Sequence, residues 1–227
     1  MLVVVAHPDD PEYGLSAAVK HWTSAGVEVS YLLLTHGEAG ISTLVPEETG
    51  PLRAAEQRAA CTAVGVGDLV ILNHPDSMLV YGLDLRLDIA REIRRVKPDA
   101  VVTASFEVEA YGGFNQADHR VAGLAALDAT RDAGNPWAHR GLLGSEQPWN
   151  VDQFLIFGAD DPNVGLPVSR GCVDAAIESL RCHSAYLAAL PGHPAPEDLI
   201  PAALRGPAEL FPDPGVEFAV NFTMHSI

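Results

Sequence analysis

Short apolar runs recur along this chain, and between them the apolar residues fall at helical spacing. Leu2 to Ala6, Val27 to Thr35, Leu69 to Leu72 and Ala100 to Ala104 have strand length and end at turn residues. Segments 14–25, 52–64, 83–96 and 117–131 read as helices; Leu85, Ile89, Ile93 and Val96, for example, share one face. Strand and helix alternating in this way imply parallel strands joined by helical crossovers, with helices on both faces of a sheet. The expected class is α/β: a Rossmann-like three-layer fold with a mostly parallel central sheet, as a single domain over 1–227. Its core is expected in about 1–190, followed by an irregular segment 191–227.

Later elements are less regular. Gln153 to Gly158 reads as a strand and Arg170 to Leu190 as one helix with Val173, Ile177, Leu180 and Leu187 inward. Segments 134–151 and 192–215, rich in Pro, Gly and charge, read as loops, and so does the stretch up to Gly50, with Pro51 opening a helix. Asp84, Arg86, Asp88, Arg91, Glu92, Arg94 and Arg95 read as a solvated, mutually paired helix face.

Composition narrows the function. At 48% hydrophobic the 227 residues can bury a substantial core. A formal charge of −16 disfavours nucleic acid and anionic membrane surfaces. No run approaches the ~20 apolar residues that cross a bilayer, and the opening run lacks the basic flank of a secretory signal. Cys61, Cys172 and Cys182 show no metal-ligand spacing and read as reduced thiols of a cytoplasmic protein. A homo-oligomer remains compatible with all of this.

Two polar turns carry the chemistry. The first apolar run stops at His7-Pro8-Asp9-Asp10-Pro11-Glu12, where the prolines force a turn at the end of a strand. Ligands of open α/β sheets bind at that end. Asp9 and Asp10 are adjacent, so one can face a metal while the other faces a substrate. A structural reading, in which Asp caps the next helix, stands beside this one. The second turn, Asn115-Gln116-Ala117-Asp118-His119-Arg120, enters a helix after the fourth strand. If both strands share one sheet, His7, Asp10 and His119 can meet. Two imidazoles and a carboxylate suit Zn²⁺ with one position left for water. Alone, Asp118 as a cap and His119 as a half-exposed helical residue would be the plainer account.

Taken together these motifs resemble the PIG-L/LmbE-like zinc-dependent N-deacetylases. Ala6-His7-Pro8-Asp9-Asp10, with Glu12 and Gly14, looks like that family's opening signature. Thr35-His36-Gly37-Glu38-Ala39-Gly40 resembles its second loop, Arg53 and Glu56 its Arg-x-x-Glu helix start, and Lys97-Pro98-Asp99 the approach to its next strand. Gln116 to Arg120 falls where the family has His-x-Asp-His, and Ser179 to His183 resembles a late helix ending in His. The resemblance implies Zn²⁺ held by His7, Asp10 and His119, with Asp9 as general base in hydrolysis of an N-acetyl group. It also implies a small N-acetylated, amino-sugar-like substrate touched by Arg53, Gln116 and His183. For Arg53 the alternative is a surface ion pair with Glu56. The acidic chain suits a soluble substrate better than an inositol phospholipid.

Departures sharpen the expectation. Gln116 stands where the family has a titratable His, and Phe114 where some members have a Tyr that assists the oxyanion. Asp9 is therefore expected to act as base and then as acid, with His36, His74 or His183 as competing proton donors. Asp76 of His74-Pro75-Asp76 reads equally as a pocket or a turn residue. Asp160-Asp161-Pro162 reads as a strand-ending turn, and Gly65-Val66-Gly67 lacks the context of a dinucleotide site. Trp137, Trp149 and Tyr186 read as packing or a sugar pocket, and substrate contacts are expected in 41–50, 105–114 and 134–150. The rival functions are a metallophosphoesterase, which needs further acids to bridge two ions, and a non-catalytic metal- or ligand-binding relative, for which Asp9 would be superfluous.

Overall fold

The computed structural model describes residues 1–142, 144, 146–211, 213 and 215–227. In chain order its elements are β1 (Leu2–Val5), α1 (Ser16–Ser24), β2 (Ser30–Leu33), α2 (Pro46–Val64), β3 (Asp68–Ile71), α3 (Leu83–Val96), β4 (Ala100–Ala104), β5 (Glu109–Ala110) and β6 (Gly113–Phe114). There follow α4 (Ala117–Gly134), β7 (Gln153–Phe157), β8 (Val164–Pro167), α5 (Arg170–Arg181), α6 (Ser184–Ala188), α7 (Pro196–Ala208) and β9 (Ala219–Ser226).

One sheet runs β3-β2-β1-β4-β7-β9-β8, and β5 and β6 form a separate hairpin. From β3 to β7 the strands are parallel, while β9 is antiparallel to both β7 and β8. Side chains alternate across the sheet. Val3, Val5, Tyr31 and Leu33 pack with α1, α2, α5 and α7; Leu2, Val4 and Leu32 pack with α3 and α4. With both faces covered, β1 has no polar alternation to show. This is the expected α/β three-layer, single-domain arrangement.

The chain lays down β1, β2 and β3 toward one edge and then returns to the far side of β1 for β4. That reversal opens a crevice at the carboxyl ends of β1 and β4. The turn 7–12 leaves one of these ends, and the loop leading to α4 leaves the other. Ala125, Ala126, Ala129 and Ala133 are fully buried, so α4 lies close on the sheet and points its first turn into the crevice.

Several elements differ from the sequence reading. The second long helix begins at Pro46, and Pro51 sits inside it. Pro46 needs no N–H at a first position, and Glu47 and Glu48 favour the positive end of the helix. The helix expected over 170–190 breaks at Cys182 and His183, giving α5 and α6. Residues 192–215, read as loop, contain α7: Pro196 opens it, and Ile200 and Leu204 bury its apolar face. Leu143, Ser145, Pro212 and Pro214, within the two segments read as loops, lie outside the described residues. β8 and β9 were not foreseen either. Arg94 departs from its expected solvated face. It is fully buried and donates to the carbonyls of Asp132, Ala133, Asn135 and Ala138 at 3.0–3.4 Å. Asp132 and Ala133 end α4 and Asn135 and Ala138 follow it, where backbone acceptors lack helical partners and the helix dipole is negative.

Candidate metal and catalytic site

The turn after β1 sends adjacent residues in opposite directions. Asp9 has φ +83°, a left-handed conformation that costs an L residue about 1–2 kcal/mol and that Asp visits more readily than most. Three hydrogen bonds hold the turn there. Asp9 N–H donates to Gln57 Oε1 at 2.9 Å, Glu12 N–H to the Asp9 carbonyl at 2.9 Å, and Arg53 Nη2 to the Pro8 carbonyl at 2.6 Å. Gln57 and Arg53 both belong to α2, so that helix shapes the turn from behind.

Asp10 turns the other way and meets both imidazoles. Its Oδ1 lies 3.1 Å from His119 Nε2 and 3.6 Å from His7 Nδ1, and its Oδ2 accepts the His7 N–H at 2.9 Å. The remaining ring nitrogens face acceptors. His7 Nε2 is 3.0 Å from Asp76 Oδ1 and 3.3 Å from Asp118 Oδ2, while His119 Nδ1 is 3.2 Å from Asn115 Oδ1. The outer nitrogens thus have acceptors for their protons, and with a metal bound the inner nitrogens would be free to offer it their lone pairs, the usual arrangement behind metal-ligating histidines. A tetrahedral ion with bonds of roughly 2.0–2.1 Å separates its ligands by roughly 3.3–3.4 Å. The spacings 3.1 and 3.6 Å bracket that value. Hence the donor set His7, Asp10 and His119 fits a divalent metal. Burial opposes ionisation of Asp10, yet His119 and His7 hold its carboxyl well below the usual carboxylate range. Burial likewise opposes charge on His7, but Asp10, Asp118 and Asp76 push it up to about 12. A cluster that draws protons so strongly draws a cation for the same reason.

Asp76 and Asp118 are anchored independently. Asp76 Oδ2 accepts Ala39 N–H at 2.7 Å, and Asp118 Oδ1 accepts Leu79 N–H at 3.1 Å. Asp118 is thus no cap for its own helix. His7, Asp76 and Asp118 form a second group with metal-ligand spacing, sharing His7 with the first.

Asp9 sits in a cationic niche. Its Oδ1 accepts from Arg53 Nη2 at 2.7 Å, with both side chains buried. Arg53 also donates to the Gly37 carbonyl at 3.0 Å, and its guanidinium lies 3.9 Å from the centre of the Tyr186 ring. A Cβ on Gly37 would stand 2.2 Å from Arg53 Nη1, and φ is +63° there, so glycine is required twice over. Burial pushes the Asp9 carboxyl up to about 7, with Arg53 opposing the rise. Glu56 points elsewhere. Its Oε1 accepts Ala185 N–H at 2.6 Å in the first turn of α6, which sets Tyr186 over Arg53.

The other expected residues are dispersed. His183 is fully buried with Nε2 3.5 Å from Glu12 Oε2, and Glu12 also accepts from Ser179 at 3.0 Å. Burial resists charge on His183, but Glu12 outweighs it and raises the pKa. His36 Nε2 lies 3.2 Å from Asn73 Oδ1, and His74 Nε2 lies 3.0 Å from Asp88. Gln116 precedes α4 without a side-chain capping bond, and Phe114 is 85% exposed. Tyr111, on the turn of the β5–β6 hairpin at φ +57°, lines the pocket beside Asp10 and His119. Its ring covers Gly158, where an added Cβ would meet it at 2.4 Å. Burial and then the Asp10 charge push its hydroxyl up to about 12. Asp76, which reads equally as a pocket or a turn residue, lies against His7 in the site, whereas Tyr111 and Gln57 were not singled out by the sequence reading. Tyr111 falls in the stretch 105–114 where substrate contacts are expected, and the two glycines that follow it mark that loop as irregular.

Known proteins share this architecture. The chain is 27% identical over 186 residues to diacetylchitobiose deacetylase of Thermococcus kodakarensis, covering 81% of this chain and 68% of that protein. It is 29% identical over 247 aligned residues to the 1D-myo-inositol 2-acetamido-2-deoxy-alpha-D-glucopyranoside deacetylase of Kineococcus radiotolerans, covering 85% and 67%. The fold matches N,N'-diacetylchitobiose deacetylase of Pyrococcus horikoshii with a TM-score of 0.86 at 22% identity, over 99% of this chain and 82% of that one. A family model described as GlcNAc-PI de-N-acetylase matches residues 2–130, which hold both polar turns and more than half of the sequence, so the chain belongs to the PIG-L family.

Proposed function

We propose that this protein hydrolyses an N-acyl amide, an N-acetyl group in the simplest case, on a small amino-sugar-containing substrate. The observation that carries the reading is the convergence of His7 Nδ1, His119 Nε2 and Asp10 Oδ1 beside a buried carboxyl, Asp9, that takes no part in it. His7, Asp10 and His119 would hold the metal, and this donor set favours Zn²⁺. When bound, the ion supplies positive charge that acidifies water and polarises an amide carbonyl.

The remaining work belongs to side chains. Asp9 takes the proton from the attacking water and passes it to the departing amine nitrogen. Arg53 occupies Oδ1 and fixes the carboxyl, so the other oxygen carries the proton in transit. Tyr111, kept protonated, offers its hydroxyl as a neutral donor to the carbonyl oxygen. Gln116, with no proton to exchange, is left a substrate contact at most, and His183, buried against Glu12, lends positive charge to the surroundings of Asp9. No described helix is long and apolar enough to cross a membrane. The three free thiols fit a reducing compartment, and we place the protein in the cytoplasm.

Metal analysis with an assay for amine release from N-acetylated amino sugars tests the reading. One zinc per chain is expected, with Asp9→Asn keeping the zinc and losing about 10²–10⁴-fold in kcat. An Asp9→Asn variant with undiminished kcat would refute it. The second group, His7, Asp76 and Asp118, favours one rival: a paired-metal phosphoesterase. Against it, both carboxylates already accept backbone N–H groups and the proton on His7 Nε2. Two metals per chain with phosphoester turnover would decide for the rival.

A further inference from the structure

A cavity of about 700 Å³ opens directly onto Asp10 and His119. Its far wall is apolar: Phe157, Leu204, Pro207, Leu210 and Val220, from β7, α7, β9 and the residues after α7. Among the described lining residues none is Lys or Arg. The chamber therefore offers no counter-ion to a phosphate or carboxylate, and its size is that of a site for a whole organic ligand. The methyl of an acetyl group, about the ~30 Å³ share of a water molecule in the liquid, fills a small part of it.

We infer that the chamber receives the acyl arm of the scissile amide, and that the preferred substrate is an amine carrying a medium-chain or aryl N-acyl group rather than acetyl. This rests on the amide-hydrolase reading above. The carbonyl must lie at His7, Asp10 and His119, and the amine must face Asp9 to receive its proton. Asp9 does not line the chamber, whereas Asp10, His119 and Tyr111 do. The amine nitrogen thus lies on the Asp9 side of the carbonyl, and the acyl half continues past Tyr111 toward α7. Gly206 marks the free space: it lines the chamber, and a Cβ added there meets nothing within 4 Å. Ala203, one helical turn earlier, lines it too.

The test is a series of N-acyl glucosamines from acetyl to octanoyl, assayed with wild type and with Gly206→Phe. Each buried methylene is worth about fourfold in kcat/KM at full burial, from ~0.8 kcal/mol. A rise of at least about tenfold from acetyl to hexanoyl is expected, collapsing to within about threefold in Gly206→Phe. A flat or falling series overturns the inference, and so does a rise that Gly206→Phe leaves intact. If Gly206→Phe does not fold, Ala203→Phe takes its place. Calorimetric binding of N-hexanoyl- and N-acetylglucosamine separates this from the parent reading. Tighter hexanoyl binding, lost in the variant, with no amide cleaved, sinks the hydrolase and keeps the chamber. Equal binding sinks the chamber.

Discussion

Replacing Asp76 or Asp118 by Asn should weaken metal binding, although neither touches the metal directly in the proposed site. Both carboxylates use both oxygens as acceptors. Asp76 takes the proton of His7 Nε2 on Oδ1 and that of Ala39 on Oδ2; Asp118 takes them from His7 and Leu79. An amide keeps the shape but turns one acceptor into a donor. One of its two contacts must then set donor against donor, at about 1–3 kcal/mol. Losing such a support usually costs about 10–100-fold in metal affinity. Each single variant should fall in that range, because the other carboxylate still holds the His7 proton. In the double variant His7 is free to move its proton to Nδ1, which removes the inward lone pair, and the loss should exceed about 100-fold. Competition against a chromophoric zinc chelator measures this, with melting curves to show that the variants fold. Wild-type affinity in the double variant would refute the account of His7. A drop in stoichiometry from two ions to one would instead mark Asp76 and Asp118 as ligands.

Three further outcomes follow from the geometry. Arg94→Met strips the donor from the carbonyls that end α4 and should cost roughly 3 kcal/mol in urea unfolding, whereas a loss under about 1 kcal/mol would show that water satisfies them. Gly37→Ala drives a methyl into Arg53 and should lower kcat through Asp9 while zinc stays bound; unchanged kcat would remove Arg53 from the proton pathway. Burial tends to raise the Asp132 pKa, but two hydrogen bonds from Arg86 and one from His139 depress it. Its contribution is complete above the unfolded value of about 3.9 and fades as pH falls through the lower folded value. The stability gap between wild type and Asp132→Asn, about 1–2 kcal/mol near pH 7, should therefore narrow below pH 4. A gap that ignores pH would place the effect in packing.

Much of the parallel half of the fold was legible because its signals are local. α3 and β4 run where their patterns place them, Leu83–Val96 and Ala100–Ala104, since apolar period and flanking turn residues lie within one short window. The C-terminal elements were not. In α7 the prolines and charges that suit a first turn and an exposed face have the composition of a loop. β9 gains its strand from neighbours β7 and β8 on both sides, which no window along the chain contains. Arg94 shows the same limit in one residue: its charge reads as solvated until the end of α4 arrives about 40 positions later.

The sequence by itself determined which polar groups stand at the ends of β1 and β4, His7, Asp9 and Asp10 on one turn and Asp118 and His119 on the other, and that a turn sends the adjacent Asp9 and Asp10 different ways. Those facts follow from residue types and chain stereochemistry. Only the tertiary structure decided what each group does with its other atoms. It set the tautomer of His7 through Asp76 and Asp118, aimed Arg53 at Asp9 instead of Glu56, and enclosed an apolar chamber with the segment that reads as loop. Burial and hydrogen-bond partners are properties of surfaces brought together across the chain, and they exist only once the sheet has closed.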